Sequence, residues 1–324
     1  MTQDKNIKIV FWGTPEFAIP SLEALIKNGY NIVAVITNPD EPAGRKNIIT
    51  PPPTKMWAEK NNIPVFQPPV LKIENSKLKI PPADLYIVAA YGKIIPKDIL
   101  DLPKLGALNI HPSLLPHRRG PSPIQYTILN GDTETGVTII KMDELMDHGP
   151  ILAQQELEFS IYNLQFTKTT YKNLHDELAK LGAELLIETL PKWITGEIKS
   201  IPQNEAQATY SKILKKEDGR IDWSWPAEKI ERMVRAFNPW PGVWTILTQD
   251  KKNYRLRIEE AEIFAEEPTE GLPGYVWQTP KYPLLVKTGR GNLTVKKIIL
   301  EGKKSMRAED FLRGYPQIIG KTLL

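Results

Sequence analysis

Residues 7–37 constrain the fold most, because they contain a strand, a helix and a second strand in succession. Residues 7–12 (IKIVFW) are an apolar run, and residues 16–28 then place apolar side chains at helical spacing. Residues 31–37 (NIVAVIT) form another apolar run. A βαβ unit of this kind has a right-handed crossover and parallel strands, so the sequence predicts an α/β domain with a parallel sheet.

The turn after the first strand bears on cofactor binding. Gly13-Thr14-Pro15 lacks the GxGxxG pattern whose glycines let a dinucleotide pyrophosphate approach the backbone, so we do not expect a nicotinamide or flavin cofactor. Further strands are predicted at residues 65–66, 84–90, 107–110, 134–142 and 151–159, and helices at 54–61, 124–129 and 167–190. Ligands of open α/β sheets bind beyond the carboxyl ends of the strands, which makes the loops at those ends candidate binding segments.

The chain from residue 209 onward has a different pattern and predicts a separate domain. One helical pattern covers residues 222–237 and is broken by the sequence NPWPG at 238–242. Short alternating segments with Gly and Pro between them follow, as in a small antiparallel barrel, at residues 254–258, 275–279, 284–288 and 293–300. We therefore predict a catalytic domain over residues 1–190, a polar linker over 191–208 and a smaller β-barrel domain over 209–324.

Composition limits the chemistry and the compartment. The 324 residues include no cysteine, which excludes disulfides, thiolate metal sites and a cysteine nucleophile and fits a reducing compartment. No window approaches the roughly 18 consecutive apolar residues of a membrane span, and the N-terminal residues do not resemble a secretory signal. We expect a cytoplasmic monomer that is not bound to a membrane.

The positive charge is concentrated in the second part of the chain. Residues 201–324 contain 21 Lys and Arg against 16 Asp and Glu, whereas residues 1–200 contain 21 against 22. An excess of this sign fits a polyanionic partner such as a nucleic acid, although a solvated charged face is the alternative interpretation.

The stretch GALNIHPSLLPHRRGPSP, residues 106–123, contains the most promising polar side chains. Asn109 and His111 are two residues apart at the end of a predicted strand, so their side chains point to the same face. Prolines then stiffen the loop, because each restricts its own φ and the residue before it. Asp147, at another strand-end loop, is placed to orient the imidazole.

These three side chains suit acyl transfer, because Asn109 and His111 would polarise a carbonyl while His111 and Asp147 move protons. Other interpretations stay open. A zinc site from His111, His117 and Asp147 has suitable ligand types but lacks the HExxH spacing. A Ser113 nucleophile lacks the GxSxG elbow. Asn109 and His111 are also compatible with purely structural hydrogen bonding.

The motifs along the chain resemble those of the 10-formyltetrahydrofolate-dependent formyltransferases. In the first part these are FWGTPEF, NPDEPAGR, VFQPPVLK, VAAYGKIIP, LNIHPSLLPHRRGPSPI and GVTIIKMDELMDHGPIL. In the second part ATYSKILKKEDGRIDW and RAFNPWPGVWT narrow the resemblance to the branch that acts on methionyl-tRNA. The resemblance runs from about residue 7 to the end of the sequence and covers both predicted domains.

This resemblance implies a Rossmann-like formyltransferase domain and an OB-like barrel that binds tRNA. It implies catalysis by Asn109, His111 and Asp147, without a metal, and transfer of a formyl group from 10-formyltetrahydrofolate to the α-amino group of methionyl initiator tRNA. The implied folate-binding residues are Ser113, Leu114, Leu115, Pro116, Tyr91, Gly92, Ile94 and Ile95. The loop with Arg45 and Lys46 resembles the one that contacts the tRNA acceptor end. Further tRNA contacts are expected from the basic residues Lys212, Lys215, Lys216, Lys303, Lys304 and Arg307.

The sequence departs from the family pattern at some positions. His148-Gly149-Pro150 follows Asp147 where the family has Thr-Gly-Asp or Ala-Gly-Asp, and the extra imidazole would either alter the pH dependence of the reaction or be exposed. Gly120-Pro121-Ser122-Pro123 replaces Gly-Ala-Ala-Pro, and Asn47-Ile48-Ile49 stands where further basic residues are usual. Arg118 and Arg119 receive no role; they are expected either to reach the tRNA end or to face water, and water is favoured. Two alternative functions remain, a sugar-nucleotide N-formyltransferase and a non-catalytic RNA-binding protein.

Overall fold

The computed structural model describes residues 7–44, 47–71, 80–158, 168–249, 251–265 and 271–324. The chain divides into two compact units. Unit 1 contains residues 1–123, 133–163 and 173–212, and unit 2 contains residues 124–132, 164–172 and 213–324. The predicted domain boundaries, with a catalytic domain ending at residue 190 and a barrel domain starting at residue 209, stay a prediction. The contacts assign residues 191–212 to unit 1 and two earlier segments to unit 2.

Unit 1 is built on a seven-stranded sheet. The strands up to residue 156 are β1 (Lys8–Gly13), β2 (Asn31–Ile36), β3 (Glu41–Ala43), β4 (Ile48–Thr50), β5 (Val65–Phe66), β6 (Leu85–Ala89), β7 (Ala107–His111), β8 (Gly136–Lys141) and β9 (Ile151–Glu156). The helices up to residue 194 are α1 (Ile19–Lys27), α2 (Pro53–Lys60), α3 (Lys97–Leu100), α4 (Pro123–Asn130) and α5 (Tyr171–Ile194). The large sheet has the order β5-β2-β1-β6-β7-β8-β9, and β3 pairs with β4 separately.

The sheet is parallel from β5 to β7 and antiparallel beyond. β1 lies between β2 and β6 with parallel pairing to both, and β6 pairs in parallel with β7. β8 runs antiparallel to β7, and β9 runs antiparallel to β8. The predicted α/β fold with a parallel sheet is thus confirmed for β5 to β7, whereas β8 and β9 make the sheet a mixed one. It places the carboxyl ends of β6 and β7, and the loops that follow them, side by side.

Burial explains why the strands are apolar throughout rather than alternating. Every residue of β6 and β7 is buried, and β1 is buried after its first residue. Strands covered on both faces require such continuous apolar runs. Within the described residues, no helix combines the length and the hydropathy of a membrane span.

Gly182 lets helix α5 approach strand β7 closely. A β-carbon built at Gly182 would lie 2.7 Å from Cγ2 of Ile110 and 3.5 Å from Cγ1 of Val137 on β8. Ile110 is 1% exposed and lies between Asn109 and His111. The absence of a side chain at Gly182 therefore sets the position of the strand segment that carries both polar residues.

In its described residues, unit 2 contains an antiparallel sheet and, besides residues 124–130 of helix α4, two further helices. These elements are α6 (Ala227–Phe237), α7 (Ala308–Gly314), β10 (Val243–Gln249), β11 (Lys252–Phe264), β12 (Val276–Trp277), β13 (Leu285–Lys287), β14 (Asn292–Leu300) and β15 (Met306–Arg307). The strand order is β10-β11-β14-β13-β12, with β15 beside β14. A smaller antiparallel domain after the α/β domain was predicted and is confirmed.

Helix α6 begins later than predicted. The helical pattern was assigned to residues 222–237, but the helix starts at Ala227 because Pro226 is extended, with φ −61° and ψ 148°. Asp222 accepts hydrogen bonds from the backbone N–H and the hydroxyl of Ser224, which forms a turn instead of a helical first turn.

Residues 320–324 connect the two edge strands of this sheet. Ile246 on β10 and Leu324 exchange backbone hydrogen bonds of 3.0 and 3.1 Å. On the other side, Val276 of β12 donates to the carbonyl of Lys321 and accepts from the N–H of Gly320, both at 2.8 Å. The terminal segment therefore pairs with both β10 and β12 and closes the sheet into the predicted barrel.

Candidate active site

Asn109 and His111 lie at the end of β7, and both contact the same carboxylate oxygen. Their exposed fractions are 8% and 4%. Nδ2 of Asn109 donates to Oδ1 of Asp147 at 3.3 Å, and Nδ1 of His111 lies 3.5 Å from that same oxygen. The structure thus brings together the three side chains that the sequence placed in the catalytic group.

Asp147 is held in an unusual backbone conformation. Its φ is +51°, in the left-handed region that few residues other than glycine adopt. Its second oxygen, Oδ2, accepts a hydrogen bond of 2.7 Å from the N–H of Gly120. Gly120 has φ +105°, and a β-carbon there would lie 2.5 Å from the carbonyl oxygen of Ser211, so only glycine fits. The carboxylate is therefore oriented by the loop after β7.

The imidazole of His111 faces an acceptor on each side. Nε2 lies 3.0 Å from the carbonyl oxygen of Arg118, and Nδ1 faces Asp147. A carbonyl only accepts, so Nε2 has the proton. When Nδ1 is protonated as well, the ring donates to Arg118 and faces the carboxylate as an imidazolium. The site can therefore hold a positive charge beside the Asn109 amide.

The loop after His111 is anchored to β8 and β9. Oγ1 of Thr138 donates to the carbonyl of Ser113 at 2.7 Å and accepts from the N–H of Leu115 at 3.0 Å. Nε2 of Gln154 donates to the carbonyl of Leu115 at 2.9 Å. The Ser113 hydroxyl donates to the carbonyl of His117 at 2.6 Å, within its own loop. This contact fits a loop-forming role for Ser113 better than a nucleophilic one.

The second predicted folate segment presents mainly its backbone. The ring of Tyr91 is buried against Trp12, with ring centroids 5.2 Å apart, and burial raises the pKa of Tyr91 to about 12. Ile95 is buried as well, at 4% exposed, whereas Ile94 is 75% exposed. Gly92, with φ +83°, turns the chain between Tyr91 and Ile94. A ligand would therefore meet the backbone of this turn and the Ile94 side chain.

Asn38 was not among the predicted binding residues but belongs to this region. Its Nδ2 donates to the carbonyl of Tyr91 at 3.0 Å, while its buried Oδ1 has no hydrogen-bond partner among the described residues. An unpaired buried acceptor beside an open glycine turn fits a ligand with N–H groups, as a pterin has. The signal in the sequence was a polar residue directly after the apolar run of β2.

Arg119 was expected to face water, and this expectation is wrong. The residue is 1% exposed. Its guanidinium donates to Oε1 of Gln203 at 3.0 and 2.8 Å and forms a two-point contact with Glu205 at 2.9 and 2.6 Å. Arg118, half-buried with φ +62°, contributes its backbone carbonyl to His111.

His148, which departs from the family pattern next to Asp147, is half-exposed and lies between two carboxylates. Nδ1 is 2.7 Å from Oδ2 of Asp143, and Nε2 is 3.5 Å from Oε1 of Glu205. The hydrogen bond from Arg119 lowers the pKa of Glu205. In the described part of the chain, no cluster of three or more His, Asp or Glu side chains is arranged to hold a metal ion.

The predicted tRNA contacts are exposed where the structure describes them. They are Lys212 in unit 1 and Lys215, Lys216, Lys303, Lys304 and Arg307 in unit 2. Arg45 and Lys46 lie outside the described residues. The sequence reasoning missed two arginines beside Trp244, Arg255 with its guanidinium 4.2 Å from the ring centroid and Arg220 at 5.9 Å. No local sequence signal links them, because Trp244 lies on β10, Arg255 on β11 and Arg220 before α6.

Known sequence families match residues in both units. Residues 5–190 match the family model described as formyl transferase, and residues 213–316 match the one described as formyl transferase, C-terminal domain. The methionyl-tRNA formyltransferase of Bacillus velezensis is 43% identical over 311 residues, covering 95% of this chain and 94% of the relative. That of Chloroflexus aurantiacus is 44% identical over 313 residues, covering 95% and 97%.

Solved structures show the same fold at lower identity. HypX from Aquifex aeolicus in complex with tetrahydrofolic acid has a TM-score of 0.64 at 19% identity, and the match covers 97% of this chain and 48% of HypX. The N-formyltransferase from Helicobacter canadensis, in complex with folinic acid and dTDP-3-aminofucose, has a TM-score of 0.61 at 20% identity, covering 93% and 100%.

Proposed function

This chain belongs to the methionyl-tRNA formyltransferases, and we propose that it transfers the formyl group of 10-formyltetrahydrofolate to the α-amino group of methionine esterified to initiator tRNA. A bond forms between the amine nitrogen and the formyl carbon, and the bond from that carbon to the folate nitrogen breaks. The amine loses a proton and the folate nitrogen gains one. The product is the N-formylmethionyl-tRNA of translation initiation.

The observation that supports this function most directly is that Asn109 and His111 both contact one carboxylate oxygen of Asp147. An amide NH₂ has two donors, and only one N–H of Asn109 is needed for Asp147. The other is free to donate to the formyl oxygen as negative charge develops on it, and a protonated His111, whose two N–H groups face Arg118 and Asp147, would add its positive charge nearby. Oδ1 of Asp147, next to both, is the group we assign to proton transfer away from the amine.

The folate co-substrate is proposed to bind along the two loops that follow β6 and β7. Residues 113–116 form one side, and the backbone of Tyr91 and Gly92 with the side chain of Ile94 forms the other. Asn38 offers its unpaired Oδ1 to an N–H of the pterin. When bound, the folate supplies a formyl group on an arylamine nitrogen, which is a better leaving group than an ordinary amide nitrogen.

Unit 2 is proposed to supply much of the affinity for tRNA. Its exposed basic residues Lys215, Lys216, Lys303, Lys304 and Arg307 suit contacts to phosphates, which do not depend on sequence. Arg255 and Arg220 beside Trp244 add further cations on the same unit. We also propose that the protein works as a monomer in the cytoplasm, where translation initiation takes place.

A formylation assay tests this function. Purified protein with 10-formyltetrahydrofolate should formylate methionyl initiator tRNA much faster than charged elongator tRNA. Formylation of an amino-sugar nucleotide instead of the tRNA would indicate the sugar-nucleotide enzyme. Binding of RNA without any formyl transfer would indicate the non-catalytic alternative. Size-exclusion chromatography with light scattering measures the oligomeric state.

A further inference from the structure

The guanidinium of Arg119 is fully engaged inside unit 1. At 1% exposure, the charge needs partners, and its N–H groups donate to three: the side-chain oxygen of Gln203, the carboxylate of Glu205 and, at 3.4 Å, the hydroxyl of Tyr210. Two-point contacts of this kind define direction as well as distance. The position of the Gln203 side chain is thereby determined by Arg119.

Gln203, held by Arg119, also binds the loop that carries Asp147. Its Nε2 donates to the carbonyl oxygens of Asp147 and Gly149, both at 2.8 Å. These two carbonyls lie on either side of His148, so one amide group spans the turn. Because Asp147 has φ +51°, its backbone conformation is costly and requires contacts of this type to persist.

The carboxylate is fixed from the opposite side by the residue next to Arg119. The N–H of Gly120 donates to Oδ2 of Asp147 at 2.7 Å. The backbone of Arg119 is itself fixed, because its N–H donates to the carbonyl of Thr209 at 2.9 Å and its carbonyl accepts from the N–H of Ser211 at 2.7 Å. The hydrogen bonds among Arg119, Gln203, Asp147 and Gly120, together with the peptide bond between Arg119 and Gly120, thus form a closed ring.

We propose that Arg119 and Gln203 are positioning residues for Asp147, holding its carboxylate against Asn109 and His111 through the closed ring. This proposal rests on the proposed function. Neither residue needs to touch a substrate, so replacing either should slow the chemical step and leave substrate binding unchanged. A misplacement of about 1 Å in a catalytic group can cost on the order of 10²-fold in rate.

Gln203→Glu and Gln203→Ala provide the central test. The glutamate keeps an acceptor for Arg119 but cannot donate to the two carbonyls, which accept only. Both variants should lower kcat by about 10²-fold, with KM for tRNA and folate unchanged. Arg119→Lys, which keeps the charge but not the fork, should lower kcat as well. Gln155→Ala, an exposed glutamine on β9, is the matched control and should retain normal kcat.

A double-mutant cycle excludes a merely structural role. Single-turnover rates are measured for Asp147→Asn with and without Gln203→Ala. The second substitution should cause no further decrease in rate, because the carboxylate that it misplaces is already gone. Additive decreases, or near-normal kcat in Gln203→Glu, would overturn the positioning role. A wild-type protein that fails to formylate methionyl-tRNA would instead contradict the proposed function, so the two failures are distinguishable.

Discussion

The two oxygens of Asp147 have different partners, and this separates their roles. Oδ2 accepts from the backbone of Gly120, a fixed donor, and serves to orient the carboxylate. Oδ1 faces the side chains of Asn109 and His111 and is the oxygen that our proposal assigns to proton transfer. A carboxylate with one oxygen fixed and the other available is suited to moving a proton without losing its position.

Asn109→Ala should lower kcat by about 10²- to 10³-fold, as removal of one donor to a developing oxyanion typically does. Affinity for tRNA should stay unchanged, because the proposal places the amide at the reaction centre and the tRNA contacts elsewhere. Single-turnover formylation and filter binding measure the two effects. Asn28→Ala, at the end of α1, is the control. A normal rate in Asn109→Ala would contradict its assigned role.

Glu205→Gln should destabilise the protein at neutral pH and progressively less as the pH falls into the acid range. The hydrogen bond from Arg119 lowers the pKa of Glu205 below its ordinary value of 4.5. A carboxyl group whose pKa is lower in the folded state stabilises that state above its unfolded pKa, and the contribution disappears as pH falls through the folded pKa. Denaturant unfolding at neutral pH and below pH 4.5 should therefore show a difference from wild type that shrinks in acid. A pH-independent difference would contradict this linkage.

Residue-level prediction succeeded where the signal was local and failed where it was not. Asn109 and His111 could be placed on one face because strand geometry relates residues two apart. The burial of Arg119 could not be foreseen, since its partners Gln203 and Glu205 come 84 and 86 residues later in a segment without periodicity. Only the folded chain brings a polar segment over a charge that looks solvent-exposed in sequence.

At the level of elements, helix α5 and strand β7 are in direct contact at Gly182. A methyl group there would collide with Cγ2 of Ile110. That atom belongs to a β-branched side chain with little rotamer freedom, in the middle of a buried strand. The helix would have to move, and with it the support of the strand end that carries Asn109 and His111.

Gly182→Ala should therefore lower the free energy of unfolding by about 1 to 3 kcal/mol, although alanine is the better helix former. It should also lower kcat. Gly314→Ala is the matched control, because no described atom lies within 4 Å of the new methyl group and its backbone needs no positive φ. Chemical denaturation and the formylation assay measure both variants. A stabilised Gly182→Ala would show that the contact is not tight.

Periodicity predicted most elements of the sheet but not all of unit 2. The strands β1, β2, β6 and β7 were recognisable because buried parallel strands are continuous apolar runs. Strand β10 was missed, since it starts directly after the NPWPG break. The prediction for helix α6 ran through Pro226. A proline disfavours the helical conformation of the residue before it, so the helix cannot readily extend back through this position.

At the level of the whole molecule, the excess of basic residues in the second part of the chain predicts that binding of the polyanionic tRNA is largely electrostatic. Binding of tRNA should weaken steeply with salt, because neutralising each phosphate releases counterions. Replacing Lys303 and Lys304 by Gln should lower the slope of log affinity against log salt by about 0.7 to 0.9 for each phosphate that is no longer neutralised. Lys180→Gln, exposed on α5, should leave the slope unchanged. A salt-independent affinity would contradict the role of unit 2.

The closing of the barrel by residues 320–324 has a consequence for the order of folding during synthesis. The other strands leave the ribosome before this segment does, so they can pair with one another while β10 and β12 still have unpaired backbone groups. Open strand edges are where chains associate wrongly. A nascent chain that stalls shortly before residue 320 would therefore expose two such edges at once and should be the species most prone to aggregation and to capture by chaperones.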